Sequence, residues 1–235
     1  MLTDFHSHIL PGMDDGSKSV KESLAMLGLL GGQGVGSVVA TPHFYPRYDG
    51  PDAFLSRRDA SLAQLRSAME GREDLPRIYT GAEVYYFPGM SESEVLHRMT
   101  MGQSPFVMVE MPMGSWTSQM YRELEEIYVK QKLVPVIAHV DRYIRPLASH
   151  GIPEQLAQLP VVVQANAEFF LRRSTARFAL RLLREGKIHI LGSDCHNLTD
   201  RAPKLGEAAD VIRRRLGEDM MEQLRVRGEE ILPAR

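Results

Sequence analysis

Residues 2–16 read LTDFHSHILPGMDDG, and this stretch decides how the rest of the chain is interpreted. The run Leu2–His8 predicts a short buried strand that ends in two histidines one residue apart. Side chains two residues apart on a strand point to the same face, so His6 and His8 are placed to hold one metal ion together. The acidic pair Asp14-Asp15 precedes Gly16 in a predicted turn, and Asp15 is a third candidate ligand.

Strand-like and helix-like segments alternate along the chain. Runs of 4–8 mostly apolar residues are typical of strands buried on both faces, and the stretches between them repeat apolar residues at helical spacing. The predicted strands are Leu2–His8, Ser37–Thr41, Arg77–Ala82, Phe106–Glu110, Val134–Ala138, Val161–Gln164 and Ile188–Gly192. The predicted helices include Val20–Leu30, Phe54–Met69, Met120–Tyr128, Ala176–Leu183 and Leu205–Leu216. Such an alternation predicts an α/β fold with parallel strands, either a doubly wound sheet or a closed barrel.

Composition narrows the functional class. The chain has 235 residues, 43% of them hydrophobic, and its 28 basic residues nearly balance 30 acidic ones. This balance argues against bulk nucleic-acid binding, and the apolar content excludes a disordered chain. The sequence has one cysteine and shows no signal-peptide pattern, and its most apolar run, Leu133–Val140, is too short to cross a bilayer. These features predict a cytoplasmic protein without membrane insertion. With no linker or repeat in the sequence, we expect residues 1–235 to form one domain.

Metal-binding side chains coincide with the ends of the predicted strands. Five of the eight histidines lie there, together with acidic residues, and the carboxyl ends of parallel strands in an α/β barrel converge on one face. The candidate ligands are His6, His8, Asp15, His43, Glu83, Glu110, His139, Asp194 and His196. Because one divalent ion uses four to six ligands, some of them water, nine protein ligands suit two or three ions that share carboxylates.

The same residues carry a resemblance to a known family. The segments DFHSHILPGMDDG, ATPHF, GAEVYY, VEMP, AHVDRY and GSDCHN resemble the PHP (polymerase and histidinol phosphatase) metal-dependent phosphoesterases. Among these they look most like the bacterial tyrosine-protein phosphatases of capsule and exopolysaccharide operons. The resemblance runs from about Leu2 to Arg201.

The resemblance implies a distorted (β/α)7 TIM-like barrel with three divalent metal ions at the carboxyl ends of its strands. Manganese is the metal most expected, and iron, zinc or magnesium are alternatives. Arg142 and Arg201 match the substrate-side arginines and are the candidate catalytic residues. The implied ligand sets, metal by metal, are His6, His8, Glu83 and Asp194; Glu83, Glu110 and His139; and Asp15, His43 and His196.

The implied activity is hydrolysis of phosphotyrosine by a hydroxide that bridges two metals. The implied partner is the phosphotyrosine-bearing tail of a bacterial tyrosine kinase that controls polysaccharide synthesis, with no nucleic acid expected. The alternatives are a small-molecule phosphomonoesterase of the histidinol-phosphate type and a PHP-type nuclease. A nuclease is disfavoured because it needs a basic groove with stacking aromatic side chains.

A competing motif is the Cys-x5-Arg spacing of Cys195 and Arg201, which is typical of cysteine-dependent tyrosine phosphatases. Asp194 precedes the cysteine and raises the pKa of its thiol, which is the opposite of activation. The segment CHNLTDR also lacks a glycine to relieve a phosphate-binding loop. We therefore interpret Cys195 as a small structural side chain between two metal ligands.

Overall fold

The computed structural model describes residues 1–144 and 151–232. Its strands are β1 Leu2–Ser7, β2 Val35–Ala40, β3 His43–Phe44, β4 Arg77–Thr80, β5 Glu83–Tyr85, β6 Phe106–Glu110, β7 Val134–Ile137, β8 Val162–Asn166 and β9 Ile190–Gly192. Its α-helices are α1 Val20–Gly32, α2 Pro51–Ala68, α3 Ser118–Gln131, α4 Ile152–Leu156, α5 Ala167–Leu171, α6 Ala176–Arg184, α7 Leu205–Leu216 and α8 Glu218–Ile231. Short 3₁₀ helices cover Met90–Glu92, Glu94–Arg98 and Val140–Arg142.

The strands form a curled parallel sheet. Hydrogen bonding gives the orders β1-β2-β4 and β3-β5-β6-β7-β8-β9, and every neighbouring pair in them is parallel. The two groups are continuous, because β2 and β3 are separated only by Thr41-Pro42 and β4 and β5 only by Gly81-Ala82. A parallel bridge between Ser7 and Cys195 brings the end of β1 to the segment after β9. All strand carboxyl ends therefore face the same side of the fold.

The core consists of two apolar clusters, one on each face of the sheet. The larger cluster lies between the sheet and the helices. The smaller cluster takes Phe5 from β1, Val39 from β2, Met108 from β6 and Ile190 from β9, and Ile231 of α8 closes it. Successive strand residues point to opposite faces, so both faces of each strand must be apolar to fill both clusters. This explains why the strands are continuous apolar runs.

The seven predicted strands correspond to β1, β2, β4, β6, β7, β8 and β9. The sequence did not predict β3 or β5, since each has only two or three residues, and it did not predict α4, α5 or α8. At the start of α1, Ser19 is the N-cap and accepts a hydrogen bond from the Glu22 amide, as its position before an amphipathic run favours. Within the described residues, no helix combines the length and apolarity that crossing a bilayer requires.

Candidate metal centre

The nine candidate ligands lie on the carboxyl side of the sheet. His6, His43, Glu83 and Glu110 are within or at the end of strands, and His139 lies two residues after the end of β7. The others lie in the segments that follow strands: His8 and Asp15 after β1, and Asp194 and His196 after β9. The structure brings all nine together around Glu83 and Asp194.

Glu83 is the centre of this arrangement. Its Oε2 atom lies 3.2 Å from His6 Nε2, 3.4 Å from His8 Nε2 and 2.9 Å from His43 Nδ1. Its Oε1 atom lies 2.6 Å from His139 Nε2. Asp194 stands across from it, with Oδ1 3.6 Å from His6 Nε2 and 3.5 Å from His8 Nε2. Four imidazoles thus surround one buried carboxylate.

Potential ligand atoms gather into three groups, within each of which they lie no more than 4.8 Å from one another. The groups are His8, Asp15, His43 and His196; His6, His8 and Asp194; and His43, Glu83 and Glu110. They overlap with the three sets that the family resemblance implies. They differ in that His8 and His43 each belong to two groups, Glu83 belongs to one and His139 to none. His139 Nε2 lies 3.6 Å from Glu110 Oε1, next to the third group.

Unpaired buried atoms in this cluster test whether cations fit it. Among the described residues, Glu83 Oε2, Glu110 Oε2 and His196 Nε2 are buried and take part in no hydrogen bond. A buried polar atom without a partner costs roughly 1–3 kcal/mol. Imidazole nitrogen is a ligand that zinc and iron favour, and carboxylate oxygen is a ligand that manganese and magnesium favour. The donor set therefore fits several divalent cations.

Two residues that the sequence did not predict set the tautomers of the first two histidines. His6 Nδ1 donates to Gln164 Oε1 at 3.2 Å, and His8 Nδ1 donates to Asp14 Oδ2 at 2.7 Å. Each bond turns Nε2 of its ring towards the cluster, which is the nitrogen that would bind a metal once it carries no proton. Asp14 carries a sequence signal, because it is adjacent to Asp15, whereas a glutamine in an apolar strand carries none.

Strand β8 contributes two side-chain amides to the site, those of Gln164 and Asn166, and none of the nine candidate ligands. Gln164 Oε1 also accepts a hydrogen bond from the His139 amide at 2.6 Å. Gln164 Nε2 donates to Asn166 Oδ1 at 3.0 Å, and Asn166 Nδ2 donates to Asp194 Oδ2 at 2.9 Å. The two amides thus link His6, His139 and Asp194, which belong to three different parts of the sheet.

The backbone is strained at two of the candidate ligands. His139 has φ +32° and Asp194 has φ +52°, a region that non-glycine residues adopt rarely. Such conformations cost about 1–3 kcal/mol each and persist where surrounding contacts hold them. Hydrogen bonds from the Asp194 amide to His6 O and from the His139 amide to Gln164 supply those contacts here.

Close backbone approach explains two glycines at the site. A Cβ atom at Gly16 would lie 2.3 Å from His8 O, and one at Gly192 would lie 2.5 Å from His6 Cβ. Neither glycine has a positive φ, so lack of space alone excludes a side chain. The Gly16 contact accounts physically for the glycine of the DDG motif.

The two candidate arginines flank Asp194. Arg201 Nη2 lies 2.7 Å from Asp194 Oδ1, and Arg142 Nη2 contacts Asp194 Oδ2. Arg142 Nη1 also lies 3.8 Å from Glu110 Oε1. Both guanidinium groups line a cavity of about 960 Å3 and are about one third exposed. They stand between the buried cluster and solvent.

The electrostatics of the ligand cluster favour cation binding. Burial and the neighbouring Glu83 carboxylate raise the pKa of Glu110 to about 7. Burial and the charge of His8 lower the pKa of His196 to about 4, which leaves its imidazole neutral at physiological pH. A divalent cation relieves the repulsion between the carboxylates, and a neutral imidazole is the form that binds metal.

Cys195 stands between the candidate ligands Asp194 and His196 in the sequence and is fully buried. Burial, together with Asp4, raises the pKa of its thiol well above the ordinary value. A nucleophilic cysteine needs a lowered pKa and access to substrate. The structure therefore supports the structural interpretation of Cys195.

Curated relatives resemble this chain over nearly its full length. Tyrosine-protein phosphatase CpsB of Streptococcus pneumoniae is 29% identical over 239 residues, which covers 95% of this chain and 94% of that protein. CpsB of Streptococcus agalactiae is 28% identical over 233 residues, with the same coverage. Tyrosine-protein phosphatase YwqE of Bacillus subtilis is 27% identical over 232 residues and covers 93% of this chain and 87% of its own length.

Solved structures share the fold. The crystal structures of YwqE from Bacillus subtilis and CpsB from Streptococcus pneumoniae, described as unique metal-dependent tyrosine phosphatases, provide a match with a TM-score of 0.83. That match has 22% identity and covers 98% of this chain and 94% of the other. The phosphotriesterase homology protein of Escherichia coli, complexed with phosphate, has a TM-score of 0.58 at 12% identity, with 98% of each chain covered.

A family match covers nearly the whole chain and agrees with these relatives. Residues 2–232 match the family described as capsular polysaccharide synthesis, CpsB/CapC. The matched range includes all nine candidate ligands and both arginines. This chain belongs to the CpsB/CapC family.

Proposed function

We propose that this protein is a metal-dependent protein-tyrosine phosphatase that acts in capsular polysaccharide synthesis. The observation that carries the proposal is the convergence of nine nitrogen and oxygen ligands beside two arginines that line one cavity. Relatives at 27–29% identity are named tyrosine-protein phosphatases, and they cover almost the same length. A phosphotyrosine on a bacterial tyrosine kinase is the partner that we propose.

The proposed architecture is a distorted (β/α)7 barrel in one domain of residues 1–235. The parallel bridge between Ser7 and Cys195 supports it, because it brings the two edges of the sheet together. With β2 continuing into β3 and β4 into β5, the strands number seven. The small apolar cluster that takes residues from most strands then fills the barrel interior.

Three divalent cations, most favourably manganese, are proposed to occupy the three ligand sets that the family resemblance implies. His6, His8, Glu83 and Asp194 would hold the first, Glu83, Glu110 and His139 the second, and Asp15, His43 and His196 the third. Cations bound there would lower the pKa of water from 15.7 towards about 7, so that hydroxide would be available as a nucleophile at neutral pH.

The chain's own residues orient the phosphate. Arg142 and Arg201 line the cavity on either side of Asp194, and planar guanidinium groups match phosphate oxygens through paired hydrogen bonds. Four ligand carboxylates offset the positive charge of the cations, and the two arginines attract the substrate dianion. A phenolate leaves with a pKa of about 10, so cleavage requires little help from a protonated side chain.

The decisive experiment compares substrates and metals. The protein is stripped with a chelator, reloaded with manganese, and assayed on a phosphotyrosine peptide, histidinol phosphate and a short oligonucleotide. We expect hydrolysis of the phosphotyrosine peptide that disappears on stripping and returns on reloading. Preference for histidinol phosphate or the oligonucleotide would replace the proposal with a small-molecule phosphatase or a nuclease, and full activity after stripping would overturn it.

A further inference from the structure

The cavity beside the arginines is larger than a phosphorylated phenol ring requires. Its volume of about 960 Å3 is at the upper end of the roughly 300–1,000 Å3 range for pockets that bury drug-sized ligands. Away from Arg142 and Arg201 it extends along the segment that follows β8, where Glu168, Phe169, Arg172, Ser174 and Thr175 line it. This part of the cavity is not needed for the phosphate binding that we propose for Arg142 and Arg201.

An exposed row of arginines begins at this edge of the cavity. Residues 167–187 contain six basic residues and two acidic ones, in a chain whose formal net charge is -2. We name as the arginine row the five exposed side chains Arg172, Arg173, Arg177, Arg181 and Arg184. The last three have helical i, i+4 and i+7 spacing on the outer face of α6, and the opposite face is buried in the core.

Much of the charge in the row is available to a partner. Arg172 pairs with Glu168, and Arg181 Nε lies 3.9 Å from Glu185. For Arg173, Arg177 and Arg184, the described part of the chain offers no carboxylate within 4.0 Å. Residues 145–150 and 233–235, which lie outside it, contain no aspartate or glutamate. Three of the five arginines therefore carry a positive charge that no carboxylate of the described residues compensates within 4.0 Å.

We infer that this part of the cavity and the arginine row bind the polypeptide that flanks the phosphotyrosine, with a preference for acidic flanking residues. The inference rests on the proposed function and specifies its substrate. The row begins at the cavity edge, so a chain anchored by its phosphate at Arg142 and Arg201 passes onto it. Arg177 and Arg184 are about 10 Å apart along α6, which an extended chain spans in about three residues.

The other polyanions fit this surface less well. A helix that binds a membrane surface presents exposed apolar side chains beside its basic ones, and no large exposed apolar residue of the described chain lies on α6. Single-stranded nucleic acid needs exposed aromatic side chains on which bases stack. The large exposed aromatics of the described residues are Tyr48 and Tyr128, which lie outside the row. An acidic polypeptide is the occupant that the row favours.

The test compares three substrates and two double variants. The substrates are a phosphotyrosine peptide with acidic flanks, the same peptide with neutral flanks, and p-nitrophenyl phosphate. The variant R173A/R177A removes two arginines of the row. The matched control R214A/R215A removes two exposed arginines near the end of α7, with the same loss of charge.

We expect R173A/R177A to lower kcat/KM for the acidic peptide by about fivefold to tenfold, mainly through KM, as two exposed ion pairs allow. The difference from wild type should vanish at high salt because exposed charges are screened. The neutral peptide, p-nitrophenyl phosphate and the control variant should show wild-type values. A uniform loss on all three substrates would indicate misfolding, and R173S/R177S together with a melting curve would then repeat the comparison.

Three outcomes overturn the inference and leave the proposed function standing. In the first, wild-type protein hydrolyses acidic and neutral peptides equally well, and the proposed function stands. In the second, R214A/R215A reproduces the loss, which indicates general charge attraction. In the third, R173A/R177A abolishes binding to vesicles of phosphatidylcholine and phosphatidylglycerol but leaves peptide hydrolysis unchanged, which assigns the row to membranes. If neither peptide is hydrolysed, the proposed function fails and the inference fails with it.

Discussion

Gln164 Oε1 lies 3.2 Å from His6 Nδ1, and this single contact fixes which nitrogen of His6 faces the candidate metals. Because the amide oxygen can only accept, Nδ1 carries the proton and Nε2 keeps its lone pair. The same oxygen accepts from the His139 amide at 2.6 Å, so one buried side chain positions residues on β1 and after β7. Gln164 is a positioning residue for the whole cluster.

Replacing Gln164 by leucine tests this role. The Q164L variant leaves the His6 ring and the His139 amide without an acceptor, so we expect about 1–3 kcal/mol less stability and metal affinity about 10–100-fold weaker. Metal titration and chemical denaturation measure the two effects. The control is Q131L, which removes a half-buried amide that donates to Met90 O and Ser91 O, away from the site. Unchanged metal affinity in Q164L would contradict the positioning role.

Metal loading should release protons near neutral pH. Burial opposes the charged form of His8, but hydrogen bonds to Asp14 and Glu83 outweigh it and raise the pKa of His8 to about 10. In the metal-free protein His8 is therefore protonated below that pH, and the proton on Nε2 must leave when a cation binds. Apparent metal affinity should rise with pH up to about 10.

Calorimetry in buffers of different ionisation enthalpy counts the protons released. The D14N variant removes the negative charge that holds His8 protonated, so it should release fewer protons than wild type. Proton release that is absent in wild type, or identical in D14N, would show that the Asp14 contact does not control His8.

The sequence identified the residues that converge in the candidate site more completely than the short strands that carry two of them. Histidines and carboxylates can be identified because they come where the apolar runs of the predicted strands end, as His6, Glu110 and His139 show. The strands β3 and β5, which carry His43 and Glu83, could not be predicted because two or three residues are too few to show a periodic pattern. The role of Gln164 could not be predicted because it depends on contacts with His139 and His6, which lie 25 and 158 positions away in the sequence. Such contacts exist only once the sheet has curled.

Adding one methyl group at Gly192 should displace His6 and Gln164 and so weaken the metal site. A Cβ atom there would lie 2.5 Å from His6 Cβ and 2.7 Å from Gln164 Nε2, closer than packed atoms allow. We expect G192A to lose about 1–3 kcal/mol of stability and part of its metal content. The control is G28A in α1, where a Cβ meets nothing within 4 Å, and it should gain roughly 0.5–1 kcal/mol. Equal melting temperatures for the two variants would contradict this packing argument.

Removing the thiol should leave catalysis intact. Cys195 is fully buried, and burial raises the pKa of its thiol, so C195A should keep a kcat close to that of wild type. A thiol reagent should modify the native protein only after denaturant is added. A loss of about 10³-fold or more in C195A, with metal content unchanged, would indicate that the thiol is the nucleophile.

Lysine in place of either cavity arginine should weaken substrate binding and turnover while leaving the metals in place. Arg142 and Arg201 present planar forks to the cavity, and a lysine keeps the charge but loses the paired geometry. Loss of one charge-assisted hydrogen bond of about 1.5–3 kcal/mol predicts a fall of roughly 10–100-fold in kcat/KM for R142K and for R201K. The control R57K alters a surface pair with Asp49 and should behave as wild type. Metal analysis of each variant is decisive, because both arginines also contact Asp194. If metal content falls in step with activity, the arginines serve to hold that ligand and not to bind phosphate.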